Sequence, residues 1–129
     1  MKNILLNVTL IFTLFIFPFN SSFSQDVDAG KKVFGKCKAC HSIDEGGKKR
    51  LGPNLWGIVG NKIAAVEGMK YSKALKKYAE EAGTWEEENL DQWLANPKGL
   101  VKKSKMIFPG LKKPEDRANV IAFMKSMGN

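Results

Sequence analysis

The side chains best suited to chemistry lie within five consecutive residues. Cys37-Lys38-Ala39-Cys40-His41 contains both cysteines and the single histidine of the 129-residue chain. On a helix, cysteines three residues apart face the same way, and a histidine four residues after the first lies one turn further on. The run matches the C-x-x-C-H signature for attachment of a c-type haem. We therefore expect one covalently attached haem c per chain, held by the two thiols, with His41 as an iron ligand.

Other uses of a C-x-x-C pair explain fewer of these residues. A tetrahedral zinc site needs four ligands, and two cysteines with one histidine leave it short. A thioredoxin-like redox dithiol would need a βαβ context with buried Val and Ile strands, and no strand pattern is visible in this sequence. A structural disulfide would leave the adjacent histidine unexplained. Haem attachment accounts for all three side chains.

The first 24 residues have the pattern of a cleavable secretory signal peptide. Lys2 provides the positive start, residues 4–19 are nearly all apolar or Thr, and Ser22-Phe23-Ser24 provides small residues for signal peptidase. The apolar run of about 15 residues is shorter than the roughly 20 that span a bilayer as a helix. An uncleaved membrane anchor is the alternative. We expect export to the periplasm and a mature monohaem domain of residues 25–129.

The chain is basic, with 21 Lys and Arg residues against 13 Asp and Glu and a formal net charge of +8. Loss of the signal peptide removes one basic residue, Lys2, and no acid, so the mature charge is +7. A positive surface suits either nucleic acids or acidic proteins. The chain has an export signal and no nucleic-acid-binding motif, and its lysines are spread over several segments. We therefore expect protein partners with acidic docking faces and no nucleic acid.

The mature sequence predicts an all-α domain with about four helices and long loops. Apolar residues recur at helical spacing within residues 28–40, 72–82 and 114–127. Thr84 followed three residues later by Glu87 is the pattern of a capping box, which predicts a further helix ending at Asn96-Pro97. The segments between these helices are rich in Gly, Pro and Lys, which indicates loops.

A methionine opposite the histidine would give the six-coordinate iron of an electron carrier, since Met/His ligation raises the reduction potential. Met106 is the best candidate, because it stands in an irregular segment with no helical stripe to explain it. Met124 and Met127 lie three residues apart on the predicted last helix, where packing accounts for them. Met69, in a Gly-rich loop, is the alternative ligand. Ser104 is placed to hydrogen-bond nearby and limit the motion of the Met106 loop.

Together these pieces resemble a class I c-type cytochrome, the family of mitochondrial cytochrome c and its soluble bacterial relatives. The resemblance implies the cytochrome c fold, with helices and long loops wrapped around one covalent haem and with the first and last helices crossing. It covers essentially the whole mature chain, and its motifs occur in the family's order. They are Gly30 through Phe34, Cys37-x-x-Cys40-His41, Gly52-Pro53-Asn54-Leu55, Tyr71, Gly83-Thr84-Trp85, Trp93-Leu94-x-Asn96-Pro97, Lys105-Met106-x-Phe108 and Val120-Ile121-Ala122-Phe123.

The resemblance also implies roles for single residues. His41 and Met106 would be the axial iron ligands, and the carbonyl of Pro53 would accept the proton on the other ring nitrogen of His41. Tyr71 and Trp85 match positions whose polar hydrogens bond a buried haem propionate, and core filling is a second explanation for Trp85.

Three features depart from the family pattern. Trp93 stands where a tyrosine beside the methionine is common, which puts a hydrogen bond to the sulfur in doubt. Asn61 stands where an arginine often supports a propionate, which puts that contact in doubt as well. The stretch from Tyr71 to Trp85 is slightly longer than in the mitochondrial form, which together with the signal peptide favours a bacterial periplasmic protein.

The expected function is that of a soluble periplasmic electron carrier, which passes one electron at a time between membrane redox complexes and is not an enzyme. A bc-type complex would be the donor, and a terminal oxidase, reaction centre or reductase the acceptor. A monomer is expected. The candidate docking lysines are Lys36, Lys38, Lys103, Lys105 and Lys112. The alternative is an open-site haem enzyme or sensor such as a peroxidase, which the candidate sixth ligand and the lack of a second histidine disfavour.

Overall fold

The computed structural model of the protein describes residues 24–128. This part of the chain forms the helices α1 (Val27–Phe34), α2 (Lys73–Ala82), α3 (Glu87–Ala95), α4 (Pro97–Leu100) and α5 (Pro114–Ser126). It contains no strand, only an isolated bridge between Lys62 and Thr84, so the all-α prediction is confirmed. None of these helices is long and apolar enough to cross a membrane. The predicted signal peptide, apart from Ser24, lies outside the described residues.

The crossing of α1 and α5 forms the main helix-to-helix contact of the fold. Gly30 allows it, because its backbone lies directly against the backbone of Asn119. The rings of Phe34 and Phe123 pack beside this point with their centroids 5.4 Å apart. Phe34 and Val120 are fully buried there. The crossing that the sequence resemblance implied is therefore present, and α3 packs against α5 to complete the helical core.

Helix ends follow local sequence signals in α1 and α2. The carboxylate of Asp26 accepts a hydrogen bond from the amide of Ala29 at 2.9 Å, which caps the start of α1. The hydroxyl of Ser72 caps α2 by accepting from the amide of Leu75 at 3.1 Å. Gly83 ends α2 in a positive-φ conformation, at φ 73°, that glycine adopts without strain. The predicted helix at 72–82 is thus confirmed nearly to the residue.

The first helix is shorter than the predicted span of residues 28–40. After Phe34 the amides of Gly35, Lys36 and Cys37 bond carbonyls three residues back, at 2.8–3.1 Å, instead of four. These tight turns end the α-helix and carry the chain into Cys40 and beyond. The cysteine–histidine run therefore lies on consecutive turns rather than on a regular helix.

The predicted capping box at the start of α3 is wrong. The helix begins at Glu87, its N-cap residue is Glu86, and no side chain caps it. The Thr84 hydroxyl instead donates to the Glu86 carboxylate at 2.7 Å. Thr84 is held in extended backbone by the bridge to Lys62 and by the bond from Trp85 N to Asn61 O at 2.8 Å. These long-range contacts delay the helix past the residue that local sequence favours.

The helix α4 was not expected from the sequence, which predicted a helix end at Asn96-Pro97 followed by a loop. Pro97 occupies its first turn, where a missing amide proton costs nothing. The side chain of Asn96 accepts from the amide of Gly99 at 3.0 Å and so caps this single turn. The same residues therefore end α3 and start α4.

Candidate functional site

A cavity of about 420 Å³ lies between the turn after α1, the loop before α2, helix α3 and the segment after α4. Its lining is predominantly apolar and includes core residues such as Leu90, Leu94 and Val120. Every site residue expected from the sequence lies on this lining. These residues are Cys37, Cys40, His41, Pro53, Tyr71, Trp85 and Met106.

Backbone hydrogen bonds hold the cysteine–histidine turn. The amides of Cys40 and His41 both donate to the carbonyl of Cys37, at 3.0 and 2.9 Å. The guanidinium of Arg50 donates to the carbonyl of Lys38 at 2.7 Å and ties the turn to the following loop. Sequence reasoning missed Arg50, because nothing local marks it as different from the other basic residues. The turn places both thiols and the imidazole on one cavity wall, as the spacing predicted.

A hydrogen bond to the backbone fixes the orientation of the His41 imidazole. Its Nδ1 lies 2.9 Å from the carbonyl oxygen of Pro53, so this nitrogen carries the proton and donates. The other nitrogen, Nε2, is left to bind a metal. Gly52 leaves the ring its space, since a Cβ there would lie 2.7 Å from Nδ1 and 2.9 Å from Nε2. The Pro53 contact implied by the resemblance is present in the structure.

Burial is the main cause of the pKa shifts of Cys37 and His41 on this cavity wall. It lowers the pKa of His41, an effect that the hydrogen bond to Pro53 partly opposes, so the imidazole is neutral at pH 7. Burial, and then the nearby Cys40, raise the pKa of the Cys37 thiol, while Lys36 acts in the opposite direction. Both cysteines are free rather than disulfide-bonded. A Cys37 thiol that keeps its proton and a neutral His41 imidazole are forms that suit addition to a vinyl group and binding to iron.

Met106 reaches the cavity from the irregular segment after α4. The same lining also includes Met69 and Met124. The structure thus brings both methionines named as candidate sixth ligands to one cavity. Met106 comes from the segment that follows α4, whereas Met69 comes from the loop that precedes α2.

Ser104, two residues before Met106, has a buried hydroxyl without a hydrogen-bond partner among the described residues. The side chain of Ser104 therefore does not make the hydrogen bond that was expected to restrain the Met106 loop. Its backbone amide donates to Val101 O at 3.2 Å. Ser104 lines the cavity. An orphaned hydroxyl in a buried position indicates that a polar group belongs beside it.

Tyr71 and Trp85 lie on the cavity, where the resemblance placed propionate donors. The Tyr71 hydroxyl accepts from the amide of Val66 at 3.2 Å, which leaves its own proton available. Trp93, the departure from a common tyrosine, is buried on α3 and also lines the cavity. Asn61 does not reach the lining, and its side chain instead accepts from the amide of Lys62 at 2.8 Å.

Four lysines surround the cavity mouth. Of the docking candidates, Lys36 and Lys105 lie on its lining, together with Lys62 and Lys70, which the sequence did not single out. The other three candidates are exposed but lie off the lining, and these are Lys38, Lys103 and Lys112. The positions of Lys62 and Lys70 depend on the path of the long loop before α2, which no local pattern predicts.

Two lysine side chains also bond the backbone of the long loop before α2. Lys105 donates to the carbonyl of Lys70 at 3.0 Å, and Lys49 donates to the carbonyl of Gly68. The loop before α2 is therefore linked both to the segment that carries Met106 and to the loop that follows His41.

A cytochrome c family model matches residues 27–128. The chain belongs to the cytochrome c family. It is 45% identical over 100 residues to cytochrome c2 of Afifella marina, covering 78% of this chain and 81% of that one. It is 43% identical over 97 residues to cytochrome c-550 of Ancylobacter novellus, covering 75% and 91%. The solved cytochrome cH from Methylobacterium extorquens superimposes with a TM-score of 0.71 at 42% identity, covering 78% of this chain and 98% of that one.

Membership in this family means that the chain binds haem c covalently and that its role is in electron transport. The residues of the cavity fit this cofactor on structural grounds. Two free thiols and the neutral imidazole of His41 share one wall, and the lining accepts an apolar macrocycle. The unpartnered hydroxyl of Ser104 suits a carboxylate or an ordered water at the edge of the ring.

Proposed function

We propose that residues 25–129 act as a soluble periplasmic one-electron carrier in which His41 and Met106 are the axial iron ligands. The proposal rests on one observation. A single, largely apolar cavity has the thiols of Cys37 and Cys40, the imidazole of His41 and the thioether of Met106 on its lining. Bound haem supplies the Fe(III)/Fe(II) couple, and no bond in a substrate is made or broken.

The chain's own residues would keep reorganisation small. Cys37 and Cys40 fix the ring at one edge, and Pro53 holds the imidazole of His41 in a single orientation. A thioether from Met106 would close the sixth position to small molecules, which separates this carrier from an open-site peroxidase or sensor. An apolar lining limits water near the iron and so reduces solvent rearrangement on electron transfer.

The polar edge of the cavity would hold the haem propionates. Tyr71 and Trp85 are the proposed donors, because each carries a polar hydrogen and lies on the lining. Ser104 adds a third polar hydrogen, on its hydroxyl, in the same cavity. Burying a carboxylate needs such donors to offset its loss of hydration.

The partners would be the acidic docking faces of membrane redox complexes, with a bc-type complex as donor and an oxidase, reaction centre or reductase as acceptor. The mature charge of +7 supports this choice. Lys36, Lys62, Lys70 and Lys105 at the cavity mouth would meet these faces. Charges placed there increase the encounter rate more than the lifetime of the complex.

Ligation is tested by a matched pair of methionine variants. Met106→Ala should abolish the weak sulfur-to-iron band at the red end of the oxidised spectrum, lower the reduction potential and let carbon monoxide bind the reduced protein. Met69→Ala should leave all three properties unchanged, although it alters the same cavity. The reverse pattern would contradict the assignment of Met106.

Docking is tested by charge reversal across a salt series. Lys36→Glu and Lys105→Glu should slow second-order electron transfer with a purified bc-type complex or oxidase at low salt. The difference should shrink as salt rises, because exposed charges more than about 8 Å apart are largely screened at physiological ionic strength. Lys31→Glu is the control, since Lys31 is exposed on α1 away from the lining. If neither Lys36→Glu nor Lys105→Glu changed the rate, the basic charge would serve solubility rather than partner recognition.

Export and attachment are tested on the protein purified from the periplasmic fraction. Its mass should equal residues 25–129 plus one haem, and the haem should survive denaturing electrophoresis. Replacement of Cys37 or Cys40 by Ala should weaken that attachment. A mass that includes residues 1–24, with the protein in the membrane fraction, would instead identify a retained anchor.

A further inference from the structure

The loop that follows the cysteine–histidine turn folds back and bonds that turn at successive residues. The amide of Gly52 donates to the carbonyl of Cys40 at 2.8 Å. One residue further on, the carbonyl of Pro53 accepts from the ring of His41 at 2.9 Å. Residues 50–53 therefore fix the position of the wall that carries the thiols and the imidazole.

One side chain of this loop also bonds the turn, and it is charged. The guanidinium of Arg50 donates from Nη1 to the carbonyl of Lys38 at 2.7 Å. Lys38 lies between Cys37 and Cys40, so the bond holds the part of the turn that separates the two thiols. A charged donor makes a stronger hydrogen bond than a neutral amide does. The backbone amide of Arg50 donates to Gly52 O at 3.0 Å, which fixes the base of its own side chain.

These bonds distinguish Arg50 from an ordinary basic residue of the same loop. Lys48, two residues earlier, is also exposed, but its ammonium makes no hydrogen bond or ion pair with any residue that the structure describes. An ammonium on a flexible stem occupies many positions, whereas a planar guanidinium bonded to backbone keeps one. Arg50 therefore places a positive charge at a constant distance from the cysteine–histidine turn.

A fixed positive charge beside this turn affects the redox balance of an iron held on it. Fe(III) carries one more positive charge than Fe(II), so a nearby cation disfavours the oxidised form. Charges and hydrogen bonds around the iron ligands are among the means by which a protein sets a haem potential. A charge that moves freely in solvent contributes less, because water and salt screen it.

We propose that Arg50 is a positioning residue for the cysteine–histidine turn and that its fixed charge raises the reduction potential of the bound haem. Arg50 acts through the Lys38 carbonyl, which it holds in one orientation, and so keeps the two thiols at a constant separation. This inference rests on the carrier function proposed above, since it needs haem attached to Cys37 and Cys40. It requires no contact between Arg50 and a redox partner.

The first test compares Arg50 with Lys48 in the holoprotein. Arg50→Gln removes the bonded charge, and Lys48→Gln removes an unbonded charge from the same loop. Equilibration with ferrocyanide and ferricyanide reports the potential of each variant. Arg50→Gln should shift the equilibrium several-fold toward the oxidised protein, and Lys48→Gln should shift it much less. Equal shifts would overturn the proposal, because net charge alone would then explain both.

The second test measures the turn itself. The amides of Cys40 and His41 close the turn by donating to the carbonyl of Cys37. Their hydrogen exchange should be several-fold faster in Arg50→Gln than in wild type or Lys48→Gln. The haem methyl signals in proton magnetic resonance of the oxidised protein should also move in Arg50→Gln alone. Wild-type exchange rates and methyl signals in that variant would overturn the positioning role.

Arg50→Lys is the conservative variant, because it keeps the charge and loses the planar group. Its potential and its exchange rates should lie between those of wild type and Arg50→Gln. A potential no higher than that of Arg50→Gln would overturn the role of the charge. Since Arg50 is exposed, every variant should fold, and circular dichroism checks this. Failure of the carrier function would appear separately, as a missing sulfur-to-iron band in the wild-type protein.

Discussion

Adding one methyl group at the α1–α5 crossing should destabilise the whole domain. A Cβ at Gly30 would lie 2.6 Å from the carbonyl carbon of Asn119 and 2.9 Å from the Cβ of Phe123, and would overlap the Asn119 carbonyl oxygen. Contacts between carbon atoms are normally about 3.5–4.0 Å. The helices must therefore separate by about 1 Å, because Asn119 presents backbone that cannot rotate away.

The expected cost of Gly30→Ala is about 2 kcal/mol of unfolding free energy, built from three contributions. Overpacking costs about 1–3 kcal/mol. Loss of the hydrogen bond from Asp26 N to Asn119 Oδ1, now 2.9 Å, costs about 1 kcal/mol. The higher helix propensity of Ala returns about 1 kcal/mol.

Urea unfolding of the holoprotein, followed by far-ultraviolet circular dichroism, measures this change. With a slope of roughly 2 kcal/mol per molar, the midpoint should fall by about 1 M. The control is Lys31→Ala at the next residue of α1, whose side chain is exposed, and it should change stability by less than about 0.5 kcal/mol. A Gly30→Ala midpoint equal to that of the control would refute the reasoning from close backbone approach.

Three other substitutions have expected outcomes. Gly52→Ala should displace the His41 ring and reduce the amount of covalent haem per polypeptide, measured by absorbance of the purified protein; an undiminished haem content would contradict this. Arg117→Lys keeps a positive charge near Asp91 but loses the bonds to the carbonyls of residues 111 and 112, so the urea midpoint should report a loss of about 1–2 kcal/mol. Ser104→Ala should destabilise the holoprotein by about 1 kcal/mol if its hydroxyl bonds the cofactor or a water, whereas a neutral or stabilising effect would mean that the hydroxyl stays unpaired.

The parts of the site that depend on short spacings could be predicted from the sequence. Cys37, Cys40 and His41 share a wall because three- and four-residue offsets bring side chains to one side in tight turns as well as in a helix. The contact of Pro53 with His41 followed from a motif in register with a known family. The choice between Met106 and Met69 stays a prediction, because both side chains lie on the cavity lining.

The parts that depend on distant contacts could not be predicted. The capping box at Thr84 failed because a bridge to Lys62 keeps that backbone extended. The turns after Phe34 shorten α1 where apolar spacing alone suggested that it continues. Arg50 and Lys70 are ordinary basic residues in sequence. Only the folded path of their loops brings Arg50 to the cysteine–histidine turn and Lys70 to the cavity mouth.

The pairing of α1 with α5 has a consequence for how the chain is made. The bond from Asp26 to Asn119 joins residues 93 positions apart, so the core combines the first and last segments of the domain. Closing a loop of this length has an entropic cost that only the completed contact offsets. A nascent chain therefore cannot close this core until α5 is available, and contacts between residues far apart in sequence slow the closure further. The cysteine–histidine turn stays accessible throughout that interval, which would leave time for a haem to be attached before the cavity forms around it.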